Sequence, residues 1–265
     1  MKIVFAMKQQ MLRALHIWIL ASAFGTLALA DEESDTRRQL HLYFQGSDIY
    51  ETNCLPCHGR TGKGDGEWAA DWTKNRPRNF RSGIFKFRTT PMGFLPTDED
   101  LKRTILSGIS GTAMPSFKGH LSEDQLEAIL TYLKSFSRDW RKEERHADPV
   151  ELPEKPEWMR SADKSKTHIA SGRTAFATHC AACHGFEGKG DGPAAITLKD
   201  VWLFDIRPAD LSAKHHKSGD SLEDLFRTIS MGLDGTPMVG YRGVLKEGEI
   251  WDLVGFIQSL KSREP

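Results

Sequence analysis

The chain has 265 residues with 36 basic and 36 acidic side chains, so it carries no net charge. That balance excludes nucleic acid as the expected partner, because a phosphate backbone selects a clear basic excess. Hydrophobic residues make up 39%, enough for packed cores, and the length suits two domains of about 100 residues each.

In chain order, Lys2, Lys8 and Arg13 form a basic start, and Ala14 to Ala30 is mostly apolar. Ala28-Leu29-Ala30 then precedes the acidic Asp31-Glu32-Glu33. This is the pattern of a secretory signal, with cleavage expected after Ala30. The alternative is an uncleaved anchor helix, although the apolar run holds 17 residues and lies at the short end for crossing a bilayer. Cleavage leaves 33 basic against 36 acidic residues, a net charge of −3. The expected division is a signal peptide over 1–30, a first domain over 31–138, a charged linker over 139–171 and a second domain over 172–265.

Cys54-Leu55-Pro56-Cys57-His58 and Cys180-Ala181-Ala182-Cys183-His184 together use all four cysteines. Two thiols three positions apart can each form a thioether with one vinyl group of the same haem, and the adjacent histidine then faces the iron. Cys54, Cys57, Cys180 and Cys183 are therefore the expected attachment points of two covalently bound haem c groups. His58 and His184 are the expected proximal ligands. Two disulfides, or one zinc held by four thiolates, would be competing uses of the thiols, but neither needs a histidine after each pair.

Laying the second motif on the first gives an offset of 126 residues, and the match continues beyond it. Gly46 falls on Gly172, Tyr50 on Phe176, and Gly62-Lys63-Gly64-Asp65-Gly66 on Gly188-Lys189-Gly190-Asp191-Gly192. Shortened by two, the register places Asp100-Leu101 and Arg103-Thr104-Ile105 on Asp224-Leu225 and Arg227-Thr228-Ile229. It also places Gly111-Thr112 and Met114 on Gly235-Thr236 and Met238. So complete a repeat is a duplicated domain.

Three helices are expected in each copy. The first runs from about Ser47 (about Arg173 in the second copy) into the cysteine motif, where glycines end it. The second starts at Thr97, whose side chain with Asp100 makes a capping pattern that Ser221 and Asp224 repeat. The third starts at Ser122 with Gln125 and carries Leu126, Ile129, Leu130 and Leu133, a one-faced apolar stripe. Ile250, Leu253, Val254 and Ile257 repeat that stripe. No alternating strand pattern occurs, so the fold class is all-α. Between the copies, Asp139 to Lys166 is charged and holds Pro149, Pro153 and Pro156, which suits either a flexible tether or a strap.

Met114 lies 56 residues after His58 and Met238 lies 54 after His184, both in a loop between the second and third helices. They are the expected distal ligands. Met92 and Met231 have no counterpart in the other copy, and His120, His179, His215 and His216 are the remaining histidine candidates. His215 and His216 read as a solvated loop between Lys214 and Lys217. With these residues placed, 46–136 and 172–260 each resemble a class I cytochrome c, and the chain resembles the tandem dihaem cytochromes c. The resemblance implies two cytochrome c domains, each a few helices around one haem, and a proline-bearing loop whose carbonyl holds the proximal histidine.

An iron held by histidine and methionine has no open site and passes single electrons. The expected protein is a periplasmic dihaem carrier between redox donor and acceptor proteins, with no catalytic residues of its own. It could also serve as a subunit of a membrane or periplasmic oxidoreductase complex. Alternatives are a dihaem enzyme of peroxidase or thiosulfate-oxidising type, or a membrane-anchored subunit of a terminal oxidase. Arg76, Arg78, Arg81, Lys86 and Arg88 form an acid-free basic stretch, suited to haem propionates or to an acidic partner. The second copy mixes Asp205 and Asp210 with Arg207, Lys214 and Lys217, so the first haem is expected to have the higher potential.

Overall fold

The computed structural model describes residues 33–69, 75–160 and 162–261. Each repeat is a long helix running into a one-turn helix, followed by a loop region and two further helices. In the first repeat these are α1 (33–53), α2 (Leu55–His58), α3 (Asp98–Ser107) and α4 (Glu123–Ser135). In the second they are α5 (Ala162–His179), α6 (Ala181–His184), α7 (Leu222–Met231) and α8 (Glu247–Lys261). Among the described residues there is no strand, and only two isolated β-bridges occur, Lys199 with Asp205 and Arg242 with Leu245. The all-α class is as expected, and the stretch expected to be a signal peptide, 1–30, lies outside the described residues. No described helix is long and apolar enough to cross a membrane.

The caps form as the spacing predicts. Thr97 accepts from the Asp100 amide while the Asp100 carboxylate takes the Thr97 amide, and Ser122 with Gln125 does the same for α4. Ser221 accepts from the Asp224 amide, but the Asp224 carboxylate turns to Arg227 at 2.7 Å instead of closing the box. The apolar stripes of α4 and α8 are buried in two separate cores. One gathers Leu42, Ile49, Tyr50, Leu101 and Ile105 around α4, and the other gathers Phe176, Leu225, Phe226 and Ile229 around α8.

The helices entering the motifs are longer than expected. α1 is already helical at residue 33, and α5 takes in 162–171, a stretch assigned to the linker from its charge and prolines. Gly46 and Gly172 lie inside these helices. A Cβ on Gly46 would sit 2.1 Å from the Ala128 carbonyl oxygen of α4, and one on Gly172 would sit 2.0 Å from that of Asp252 in α8. Each glycine is where one backbone crosses directly against another. Beside the crossing, Tyr50 packs on Tyr132 and Phe176 on Phe256, with ring centroids 5.3 and 5.1 Å apart and the same 54° tilt.

The connecting segment is a strap fastened at both ends. Its first half returns to the first repeat: Leu95 donates to the Arg145 carbonyl and Val150 to that of Thr89, both at 2.8 Å. Arg145 in turn reaches the Gly93 and Gly83 carbonyls, and Trp140 sits edge-on to Phe85. Its second half packs Leu152, Trp158 and Met159 on the second core, with Trp158 stacked on His168 at 4.3 Å.

The basic stretch lies at the seam between the repeats. Arg76 rests over Phe204 at 4.3 Å and Arg78 over Trp202 at 5.0 Å. Arg88 Nη2 donates to Asp234 Oδ1 at 2.9 Å, an ion pair whose side chains are only 1% and 10% exposed. The loop carrying Trp202 and Phe204 follows from a length difference. Ten residues separate Gly66 from Pro77, but fifteen separate Gly192 from Pro208.

Gly172→Ala is expected to lower stability by about 3 kcal/mol, because its methyl would overlap fixed backbone. Gly248→Ala in α8 meets nothing within 4 Å and should gain about 0.5–1 kcal/mol from helix propensity alone. Urea unfolding midpoints at unchanged slope would check both.

Candidate haem attachment sites

The attachment turns are built by backbone hydrogen bonds that are nearly the same in both copies. The amide of His58 donates to the Cys54 carbonyl at 2.8 Å, and that of His184 to Cys180 at 2.9 Å. This puts both thiols and the imidazole of each motif on one helical turn. The glycine-rich loop then folds back over the turn. Gly64 donates to the His58 carbonyl and Gly66 to that of Cys57, while Gly190 and Gly192 repeat the pair on His184 and Cys183. A side chain at Gly66 would strike the Pro56 carbonyl oxygen at 2.3 Å, and at Gly192 that of Ala182 at 2.4 Å. The repeated Gly-Lys-Gly-Asp-Gly is therefore a latch that needs bare backbone.

Each histidine is oriented from behind. His58 Nδ1 lies 3.2 Å from the Arg78 carbonyl oxygen, and His184 Nδ1 lies 3.1 Å from that of Ala209. A carbonyl only accepts, so the proton sits on Nδ1 and the lone pair on Nε2, the form that binds a metal. Burial pushes the His58 imidazole down to about 4 and lowers His184 as well, keeping both neutral at ordinary pH. The two carbonyls belong to the residues just after Pro77 and Pro208, which resolves which prolines mark the loop. Phe80 stacks on His58 at 4.5 Å.

The competing uses of the thiols find no support. All four cysteines are free, and among the described residues no cluster of three or more metal-binding side chains forms. Burial pushes the Cys54 and Cys180 thiols up to about 12.

The methionine loops match bond for bond. Ile109 donates to the Met114 carbonyl at 3.1 Å and Leu233 to that of Met238 at 2.9 Å. Thr112 and Thr236 each accept from the methionine amide at 3.1 Å through the hydroxyl oxygen, and each hydroxyl donates to the first carbonyl of its loop at 2.7 Å. The other candidates fall elsewhere. Met92 is exposed, Met231 is buried at the end of α7, and His120 is exposed. The His179 ring meets Tyr241 edge-on, and His215 pairs with Asp220 at 2.6 Å. His216 departs from the solvated-loop reading: it is buried, because the Asp220 carboxylate takes its amide and turns the ring inward toward the Leu211 carbonyl.

The residues present fit a c-type haem. Each site offers two thiols and one neutral imidazole nitrogen on a single turn. Cations also stand nearby: among the described residues, Arg78 and Lys86 have no carboxylate within ion-pair distance, and Asp200 acts on both from farther off. Burial pushes Arg78 down to about 10 and Lys86 to about 8, the latter helped by repulsion from Arg78 and Lys217. Haem brings two carboxylates, which would add to the partial compensation that Asp200 gives this cluster. The expected contrast between the repeats is also smaller than a local count suggests. Asp234 neutralises Arg88, and Asp200 and Asp234 both draw on Arg78.

Comparison with known proteins agrees with this geometry. Residues 169–261 match the Cytochrome c family, and residues 43–133 match the family described as Cytochrome C oxidase, cbb3-type, subunit III. A solved chain of the Kuenenia stuttgartiensis reducing HAO-like protein complex Kustc0457/Kustc0458 superposes with a TM-score of 0.75 and 36% identity. That match covers 82% of this chain and 95% of the other. The chain thus belongs to the tandem dihaem cytochromes c. Among curated relatives, it is 25% identical to the cbb3-type cytochrome c oxidase subunit FixP of Bradyrhizobium diazoefficiens. There the match spans 90% of this chain and 68% of FixP. It is 27% identical to the subunit CcoP of Azospirillum sp. over 60% of this chain, which is about half of that protein's length, 47%.

Replacing Cys180 and Cys183 together with alanine should remove one of two covalent haems, since both thioethers of one site are lost. The pyridine haemochrome ratio per chain is expected to fall to half, with the remaining haem still resistant to acid–acetone extraction.

Proposed function

We propose that the protein is a periplasmic dihaem electron-transfer subunit of an oxidoreductase complex, with irons held by His58 and Met114 and by His184 and Met238. The observation that carries this reading is the matched pair of methionine loops. The same threonine hydroxyl, the same loop closure and the same methionine recur in both copies, each between the second and third helices of its repeat. When bound, haem supplies one-electron redox chemistry at a potential raised by methionine ligation.

The chain's own residues do the rest. Arg78 and Ala209 hold the imidazole tautomer through their carbonyls, and the Gly-Lys-Gly-Asp-Gly latch fixes each attachment turn. With histidine and methionine both bound, each iron would keep no position for substrate, which argues against the peroxidase and thiosulfate-oxidising readings. Assignment to a complex is supported by the relatives, whose descriptions name oxidase subunits and a protein complex. Export through a cleaved leader over 1–30 fits this role, since its donor and acceptor would meet it outside the cytoplasm. The anchored oxidase-subunit alternative is favoured specifically by the similarity to FixP over 90% of the chain.

Met114→Ala should halve the sulfur-to-iron charge-transfer absorbance of the oxidised protein and let the reduced protein bind about one carbon monoxide per chain, against none for the wild type. Stoichiometric carbon monoxide binding by the wild type would shift the assignment to an enzyme. Amino-terminal sequencing of the exported protein, expected to start at Asp31, separates the cleaved form from the anchored one.

A further inference from the structure

Asp234 occupies a place in the second methionine loop where the first repeat has Ser110. Its carboxylate is bound on both oxygens by donors from the other repeat. Oδ1 accepts from Arg88 Nη2 at 2.9 Å and Oδ2 from the Gly93 amide at 3.0 Å. Arg88 is itself held, its Nε donating to the Pro91 carbonyl at 3.1 Å, and both side chains of the pair are buried. The loop behind Asp234 closes on itself through Leu233 and Met238, so whatever fixes the carboxylate fixes the frame that carries the methionine. A carboxylate gripped at both oxygens resists rotation as well as displacement.

The first loop is held from across the seam at one remove. Lys217 of the second repeat donates to Asn75 Oδ1, and Asn75 Nδ2 donates to the Gly111 carbonyl at 3.4 Å. That is a longer and more exposed tether than the Asp234 pair.

We propose that Asp234 is a positioning residue for Met238, and that the first repeat holds it in place through Arg88 and the Gly93 amide. Docking of the repeats and methionine ligation at the second site are then one coupled event, while the first site is nearly independent of it. The proposal rests on Met238 being the distal ligand.

The test uses full-length, haem-loaded protein and imidazole as a competing ligand for the oxidised irons. Asp234→Asn and Arg88→Gln should each make imidazole displace sulfur about tenfold more readily at one iron, equal to ~1.4 kcal/mol of lost ligation, with the other iron unchanged. Met238→Ala identifies that iron as the second. The double variant should be no weaker than either single one, because both changes remove the same contact. Arg88→Lys keeps the buried charge balanced and should fold where a neutral variant does not, with the same selectivity in smaller degree. Imidazole affinity within twofold of wild type at the second iron, or equal weakening at both irons, would overturn the proposal. A Met238→Ala protein that keeps the full charge-transfer absorbance would overturn the ligand assignment, and this inference with it.

Discussion

Everything in each repeat is referred to one helix crossing, the backbone contact of α1 with α4 at Gly46 and of α5 with α8 at Gly172. No Cβ fits at either point, so the axes approach more closely than side-chain packing allows. α1 and α5 run straight into Cys54 and Cys180, and the orientation of each attachment turn is inherited from the crossing. The apolar stripes of α4 and α8 supply the burial that holds the contact shut, and the aromatic pairs Tyr50 with Tyr132 and Phe176 with Phe256 bracket it.

Around that frame, the loops are held by hydrogen bonds to backbone more than by a core. The latch on α2 and α6, the carbonyls behind His58 and His184, and the threonine hydroxyls under Met114 and Met238 are all of this kind. A prosthetic group supplies much of the apolar interior of so small a domain, and the protein is left to fix directions at the metal. The two repeats keep the same residues at these glycine, threonine and methionine positions while their surfaces diverge.

The divergence is concentrated where the repeats meet. The second copy has five more residues between its latch and its proline, and that loop presents Trp202 and Phe204 to Arg76 and Arg78. Asp234 stands where the first copy has serine and pairs with Arg88. A buried pair of this kind contributes little net stability, yet losing one partner strands a charge at a cost of about 3–5 kcal/mol. The pair joins the two repeats at the seam, and the strap through Trp140 and Trp158 packs on both.

Much of this was legible in the letters of the chain. The cysteine motifs, the repeat, the caps at Thr97 and Ser122 and the stripe from Leu126 to Leu133 are local or periodic, and local patterns survive without coordinates. The longer reach of α1 and α5 was not legible, because the sequence reading starts these helices at about Ser47 and Arg173, and the contacts at Gly46 and Gly172 appear only when the partner backbone is seen against them. The charged, proline-bearing stretch suited a tether or a strap equally, and only the contacts of Trp140 and Trp158 decide for the strap. His216 looked solvated beside two lysines, and only the Asp220 contact turns it inward. The basic stretch from Arg76 to Arg88 looked unopposed because its acids, Asp200 and Asp234, lie more than a hundred residues away in the chain. Covalent chemistry and helical periodicity are written in neighbouring residues. Charge balance across a seam depends on what folding brings together, and only the tertiary structure decides it.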